Sequence, residues 1–117
     1  MSLALHSFLD LIRSRYGSQR FLQGDCHALA LALEHGFGGE LLMLMENENY
    51  VHSLWRDPRG EYWDIEGDQA YARSQRRWGN LALDVVEPEG WIDRIEGHGT
   101  VFDTVLYAEI VQIVQKH

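Results

Sequence analysis

Residues 28–33 alternate alanine and leucine without a polar side chain, directly after Asp25, Cys26 and His27. Asp25 suits a helix N-cap, and Gly36 stands where a glycine would close the helix. The spacing therefore predicts a helix with no polar face over nearly two turns. A helix that is hydrophobic all round is buried all round. Any fold this chain adopts must wrap other elements around that helix on several sides.

The rest of the composition leaves room for this. A chain of 117 residues, 45% of them hydrophobic, fits one domain, residues 1–117, with one core. At that size it can fold without disulfides or metal staples. Cys26 is the single cysteine, so no internal disulfide forms and nothing points to an oxidising compartment. The net charge of −8, from 18 acidic residues against 10 Lys plus Arg, repels phosphate backbones and argues against nucleic acid as a partner. No stretch approaches the roughly 18 apolar residues that span a bilayer. His6, Asp10 and Arg13 interrupt the N-terminal pattern, which lacks a signal-peptide layout. A cytoplasmic protein that avoids membranes is expected, with export lacking a cleavable signal and the oligomeric state left open. The cluster Arg73, Arg76 and Arg77 reads as the polar face of a helix.

Apolar residues at 3–4 spacing predict an amphipathic helix over 2–16, stopped by Gly17, and residues 18–24 form a polar link. A short strand is expected over 40–45. Two aromatic and β-branched runs, 50–56 and 61–66, flank Asp57-Pro58-Arg59-Gly60. Pro suits the second position of a type I turn and Gly60 the left-handed residue after it, so these runs predict a β-hairpin. A helix over 67–79 ending at Gly79, a strand near 82–86, and a loop or helical turn over 91–99 follow. The tail could be helix or strand, and its β-branched residues favour a strand over 104–114.

A lone cysteine is usually an inert, buried, small hydrophobe. Cys26 would differ if its pKa fell, and two devices lower a thiol: the positive end of a helix dipole and a neighbouring imidazole. The first is supplied by its position just after Asp25, where free N–H groups could also stabilise an oxyanion. For the second, His27 points about 100° away around the helix. His35 lies at the far end of that helix, and His6 and His117 lie near the termini. His98 stays open, and His52, mid-strand on the hairpin, is the best candidate. With a Pro58-Arg59-Gly60 loop, residue 57 faces 61, 54 faces 64 and 52 faces 66. His52, Asp64 and Glu66 then share one face, with Asp64 diagonal to His52 at roughly 7–8 Å between backbones, within side-chain reach. Tyr50 is expected on the same face, as a wall of the site. Cys26, His27, His52 and Asp64 are all zinc-ligand types, but none is paired at C-x-x-C or H-x-x-x-H spacing, so no metal is expected.

Cysteine at the start of a buried helix, then histidine on a strand, then aspartate on the next strand resembles the papain-like and transglutaminase-like thiol enzymes. The stretches that carry the likeness are "GDCHALALAL", "YVHSLW" and "EYWDIEG", covering about residues 22–68. The order Cys, His, Asp and the short hairpin look most like the transglutaminase branch. The resemblance implies Cys26 as nucleophile, His52 as general base and acid, and Asp64 as the group that orients the imidazole. Papain-like enzymes also take an oxyanion donor from a glutamine before the cysteine. Gln19 and Gln23 precede Cys26, neither at the separation those enzymes use.

The expected fold is therefore α+β, a minimal papain-like or transglutaminase-like domain with a central buried helix on an antiparallel sheet. Its expected activity is acyl transfer through a thioester, acting on a peptide, protein or small amide: hydrolysis, deamidation or transamidation. It needs no cofactor. Gln23, Asp25, Tyr50 and Glu66 are the candidate binding residues. The competing expectation is a binding or interaction module of the same fold whose site is silent.

Overall fold

The chain is wound around the helix formed by Cys26–Phe37 (α3), in which every residue from Cys26 to Leu33 is buried. The computed structural model describes residues 2–22 and 24–116. Before α3 come α1 (Ser2–Tyr16) and a short α2 (Gln19–Leu22), so the link expected over 18–24 is partly helical. After it come β1 (Glu40–Glu46), β2 (Asn49–Arg56), β3 (Tyr62–Trp63), α4 (Ala70–Trp78), β4 (Ala82–Val86), α5 (Trp91–Gly97) and α6 (Thr104–Lys116). The result is an α+β fold with a four-stranded antiparallel sheet in the order β3-β2-β1-β4.

Alternation along the strands divides the core in two. On one face Leu41, Met43, Trp55, Trp63 and Val86 join the apolar sides of α1, α3 and α6. On the other, Leu42, Leu44 and Leu54 pack with Ala70 and Leu81, flanked by Tyr71 and Trp78 of α4. Helices thus cover both faces, and β1 is buried from Leu41 to Leu44. No helix among the described residues is long and apolar enough to cross a membrane.

The 57–61 loop closes as its turn chemistry predicts. Asp57 N–H donates to the Glu61 carbonyl at 2.8 Å, Gly60 has φ 90°, and Trp55 pairs with Trp63. The Asp57 carboxylate holds the loop from inside, accepting from the N–H groups of Arg59 and Glu61 and from Trp63 Nε1. β3, however, stops after two residues. The Asp64 and Gly67 backbones bond reciprocally around a tight turn, with Gly67 at φ 115° and Asp64 Oδ1 accepting the Glu66 N–H. This Asx-type turn ends the run expected to reach residue 66.

Two further expectations are corrected. The tail is the helix α6, not a strand over 104–114. Asp103 Oδ1 accepts the Leu106 N–H at 2.9 Å at its start, and Leu106, Ile110, Ile113 and Val114 bury a single stripe. Burial against α3 overrides the β preference of its branched residues. Likewise α3 runs past Gly36 and closes at Gly38, with φ 77° and its N–H on the Glu34 carbonyl. Gly36 serves a close approach instead: a Cβ there would lie 2.1 Å from Val114 Cγ1. We expect Gly36→Ala to destabilise by about 1–3 kcal/mol through overpacking. Gly97→Ala, where a Cβ meets open space, should be neutral or stabilising by up to about 1 kcal/mol. Urea denaturation of the two variants checks the contrast.

Candidate active site

Cys26 opens α3. The preceding Asp25 makes no side-chain cap, because its Oδ2 accepts from Arg20 Nε at 2.7 Å. The first N–H groups of a helix lack intrahelical partners, so this end of α3 keeps donors that its cap residue does not occupy. Arg20 also reaches Asp103 Oδ2 at 3.1 Å, joining α2 to the start of α6.

The early end of β3 opens a place for the thiol. Asp57 N–H bonds across to Glu61, just before β3, and the two-residue period of a strand points the N–H groups of Trp55 and Ser53 to the same edge. Trp55 finds its partner in Trp63. Ser53 would pair with residue 65, but the chain has already turned away. Its N–H donates instead to Cys26 Sγ, at 3.4 Å. The sulfur therefore sits at the edge of β2, where side chains from both faces of the sheet can reach it.

Tyr50 reaches it from the α3 side. Leu44 pairs with His52 but Met45 pairs with Tyr50, so Val51 is an extra, bulged residue. The bulge reverses the alternation, and Tyr50 does not share the His52 face as expected. Its hydroxyl lies 3.3 Å from Cys26 Sγ and is also hydrogen-bonded with Ser53 Oγ.

His52 comes from the α4 side, fully buried, with its ring 5.1 Å from Trp78. Its Nε2 bonds Asp64 Oδ2 at 3.0 Å, while Nδ1 makes no hydrogen bond of standard geometry. Asp64 is 4% exposed, and its Oδ1 accepts from Arg73 Nη2 at 2.6 Å. The structure thus brings Cys26, His52, Asp64 and Tyr50 together.

Burial pushes the Cys26 thiol up, but the charge and loose approach of His52, with hydrogen bonds from Tyr50 and the Ser53 N–H, outweigh it and lower its pKa. Burial alone would lower the His52 imidazole. The charge of Cys26 and the hydrogen bond that Nε2 donates to Asp64 raise it instead, to about 10. Burial also pushes the Asp64 carboxyl up, yet its bond to His52, with the charges of His52 and Arg73, holds it below the usual range. Burial and the neighbouring Cys26 keep Tyr50 well above the ordinary phenol range, so its hydroxyl stays protonated and can donate to sulfur. A lowered thiol beside a raised imidazole is the pattern that favours a thiolate–imidazolium pair over the neutral one. The site is closed in: Cys26 is 5% exposed, and the cleft beside it, walled by Leu29, Ala30, Leu33, Trp63 and Ile65, has no room for water.

The remaining candidates lie elsewhere. Glu66 does not share the His52 face: with β3 ended, it is exposed in the turn and pairs with Arg77 Nη1 at 2.7 Å. Gln23 and His117 lie outside the described residues. Gln19 is exposed in α2. His27 is buried against Phe102 at 5.1 Å, and burial lowers its pKa. His98 is exposed, with its ring 6.1 Å from Tyr50. His6 packs on Trp63, and His35 is exposed in the last turn of α3. Among the described residues no three His, Cys, Asp or Glu side chains group as metal ligands would. Ser53 and Arg73 are the contacts that sequence reasoning missed. Nothing local marks Ser53, whereas Arg73 belongs to the chain's main basic cluster, read above as an outward-facing helix side. No protein-family model matches this chain, and no curated protein or solved structure is significantly similar to it.

The two opposed shifts fix the sign of a pH effect. A raised His52 adds stability that is fully present below its unfolded pKa of about 6.5 and lost as pH rises through about 10. A lowered Cys26 adds stability present above its unfolded pKa of about 8.5 and lost as pH falls through its folded value. The pair's contribution should therefore fall as pH rises towards about 10, where His52 deprotonates, and fall again on the acidic side as Cys26 takes up its proton. Urea denaturation across pH should show both declines in the natural chain and lose the alkaline one in His52→Ala.

Proposed function

We propose that this protein is a thiol-dependent acyl-transfer enzyme with a minimal papain-like or transglutaminase-like fold. The observation that carries the reading is the His52 imidazole, bonded through Nε2 to Asp64 at 3.0 Å and raised by the charge of a Cys26 thiol that it in turn lowers. Opposed shifts of this kind, between a nucleophile and an imidazole with a third group behind it, belong to covalent catalysis.

In this reading Cys26 thiolate attacks the carbonyl carbon of an amide. The C–S bond forms as the π electrons move to oxygen. The first-turn N–H groups of α3 face the developing oxyanion, and the Tyr50 hydroxyl is close enough to assist. As the oxyanion collapses the C–N bond breaks, and His52 gives its proton to the departing amine. Asp64 holds the ring by Nε2 and stabilises its charged form. His52, now neutral, takes a proton from water or an incoming amine that attacks the thioester, and the thiolate leaves with the pair restored. The acceptor decides between hydrolysis and transamidation. Since Cys26 is 5% exposed, the segment over the sulfur must move before a substrate enters.

That same closure favours a second reading, an interaction module in which the polar cluster is silent. Labelling separates the two. Under the enzyme reading, iodoacetamide and activated acyl esters should modify Cys26 in the folded protein well below the ordinary thiol pKa of about 8.5. Intact-mass spectrometry would show one adduct, absent in Cys26→Ser. His52→Ala should slow acylation by about 10²–10⁴-fold. A folded protein that stays unlabelled, while the urea-unfolded chain labels rapidly, would establish the silent module instead.

A further inference from the structure

Asp64 is an odd place from which to orient an imidazole. It follows a strand of two residues and stands in a tight turn, so no ladder dictates where its carboxylate points. The Glu66 N–H holds its Oδ1 from within the turn at 2.9 Å, and the rest of what holds it comes from α4. Arg73 Nη2 donates to Asp64 Oδ1 at 2.6 Å and to the Gly67 carbonyl at 3.2 Å. Nη1 of the same guanidinium donates to the Asp68 carbonyl at 2.8 Å. One planar fork therefore spans the carboxylate and two carbonyls of the turn, leaving Oδ2 for His52. On its other side Arg73 Nε lies 3.5 Å from Glu66 Oε1, which also holds Arg77.

We propose that Arg73 is a positioning residue: by pinning the 64–68 turn and Asp64 Oδ1, it aims Asp64 Oδ2 at His52 Nε2 and so sets the ionisation of the Cys26–His52 pair. This rests on the acyl-transfer reading only for its consequence in turnover, since the positioning itself is a property of the folded protein. A guanidinium suits the task because its donors lie in one rigid plane. A lysine would supply the charge at a single point.

The charges facing the pair are few. Cys26 approaches His52 from α3 and Asp64 from the turn, and the Tyr50 hydroxyl of β2 lies against the sulfur at 3.3 Å. Behind Asp64 stand Arg73 and, at longer range, Arg77 of α4, with Glu66 between the two arginines. Removing Arg73 leaves Asp64 Oδ1 held by the Glu66 N–H alone. A single backbone donor fixes the carboxylate less tightly than a guanidinium fork and, with a cation gone, the group is itself harder to keep ionised in a buried site.

The test compares R73Q and R73K with the natural chain, using R76Q, an exposed arginine on the same helix, as control. Nitrogen-detected NMR would follow His52 through a pH titration. In R73Q the hydrogen-bonded Nε2 proton signal should weaken and the His52 midpoint fall by about one unit or more. The pH midpoint of Cys26 alkylation should rise towards that of a free thiol. R73K should recover only part of either shift. R76Q should match the natural chain. If the natural chain acylates, R73Q should lose on the order of 10²-fold in kcat with little change in KM, as expected for a misaimed group. Natural-like titration of His52 in R73Q would overturn the proposal. So would full recovery in R73K, which would reduce the effect to charge alone, and that variant serves also if R73Q does not fold. A natural chain that never acylates, but whose His52 titration still shifts in R73Q, would sink the acyl-transfer reading and leave the positioning role standing.

Discussion

Covering α3 is the constraint on which everything else in this structure depends. Eight consecutive buried residues, Cys26 to Leu33, need partners around the whole circumference of the helix, and a single sheet face cannot supply them. The chain answers with β1 and β2 on one side, α6 on another and α2 near the N-terminal end. The requirement explains the glycine at position 36, which lets Val114 approach. It also explains why the C-terminal tail becomes a helix, since a narrow stripe of Leu106, Ile110, Ile113 and Val114 fits the remaining groove. Burial of this kind is worth about 25 cal/mol per Å² of apolar surface, far more than the tenths of a kcal/mol by which β-branched residues disfavour helix.

The candidate site is a by-product of how the sheet ends. A β3 that continued to residue 66 would have occupied the Ser53 N–H and shut the thiol out of the strand edge. Because Asp64 and Gly67 close a turn instead, the edge is open for Cys26 Sγ. There the sulfur meets Tyr50 from one face and His52 from the other. The bulge at Val51 separates these two side chains. A regular strand would have left both on the α4 side, and the sulfur would have lost the donor that now lies 3.3 Å away. Four ionisable groups, Cys26, His52, Asp64 and Arg73, then lie in sequence, thiol beside imidazole, imidazole on carboxylate and carboxylate on guanidinium. Each burial penalty is met by an opposite neighbour.

Much of this is legible in the sequence. The Pro58-Arg59-Gly60 loop carries the register of the hairpin in its own turn preferences, so the diagonal relation of His52 to Asp64 followed from local chemistry. The central helix followed from its lack of a polar face. Other features could not be read locally. Glu66 was expected beside His52 because nothing short of the Asp64–Gly67 backbone pairing says that β3 stops. Tyr50 was expected on the wrong face because a bulge depends on how β1 pairs with β2. Arg73 looked like part of a solvated helix face because its partner lies nine residues away, across a turn.

By itself, then, the sequence determined which segment must be buried, where the hairpin turns, and that a cysteine, a histidine and an aspartate come within reach of one fold. These are decided by short-range physics: side-chain periodicity, φ restrictions of Pro and Gly, and strand register. Only the tertiary structure decided the lengths of the strands, the helical state of the tail, the faces of Tyr50 and Glu66, and the clamp of Arg73 on Asp64. Those depend on hydrogen-bond partners and packing surfaces contributed by distant segments, and no local preference is strong enough to compete with leaving a buried donor unpaired or an apolar stripe exposed.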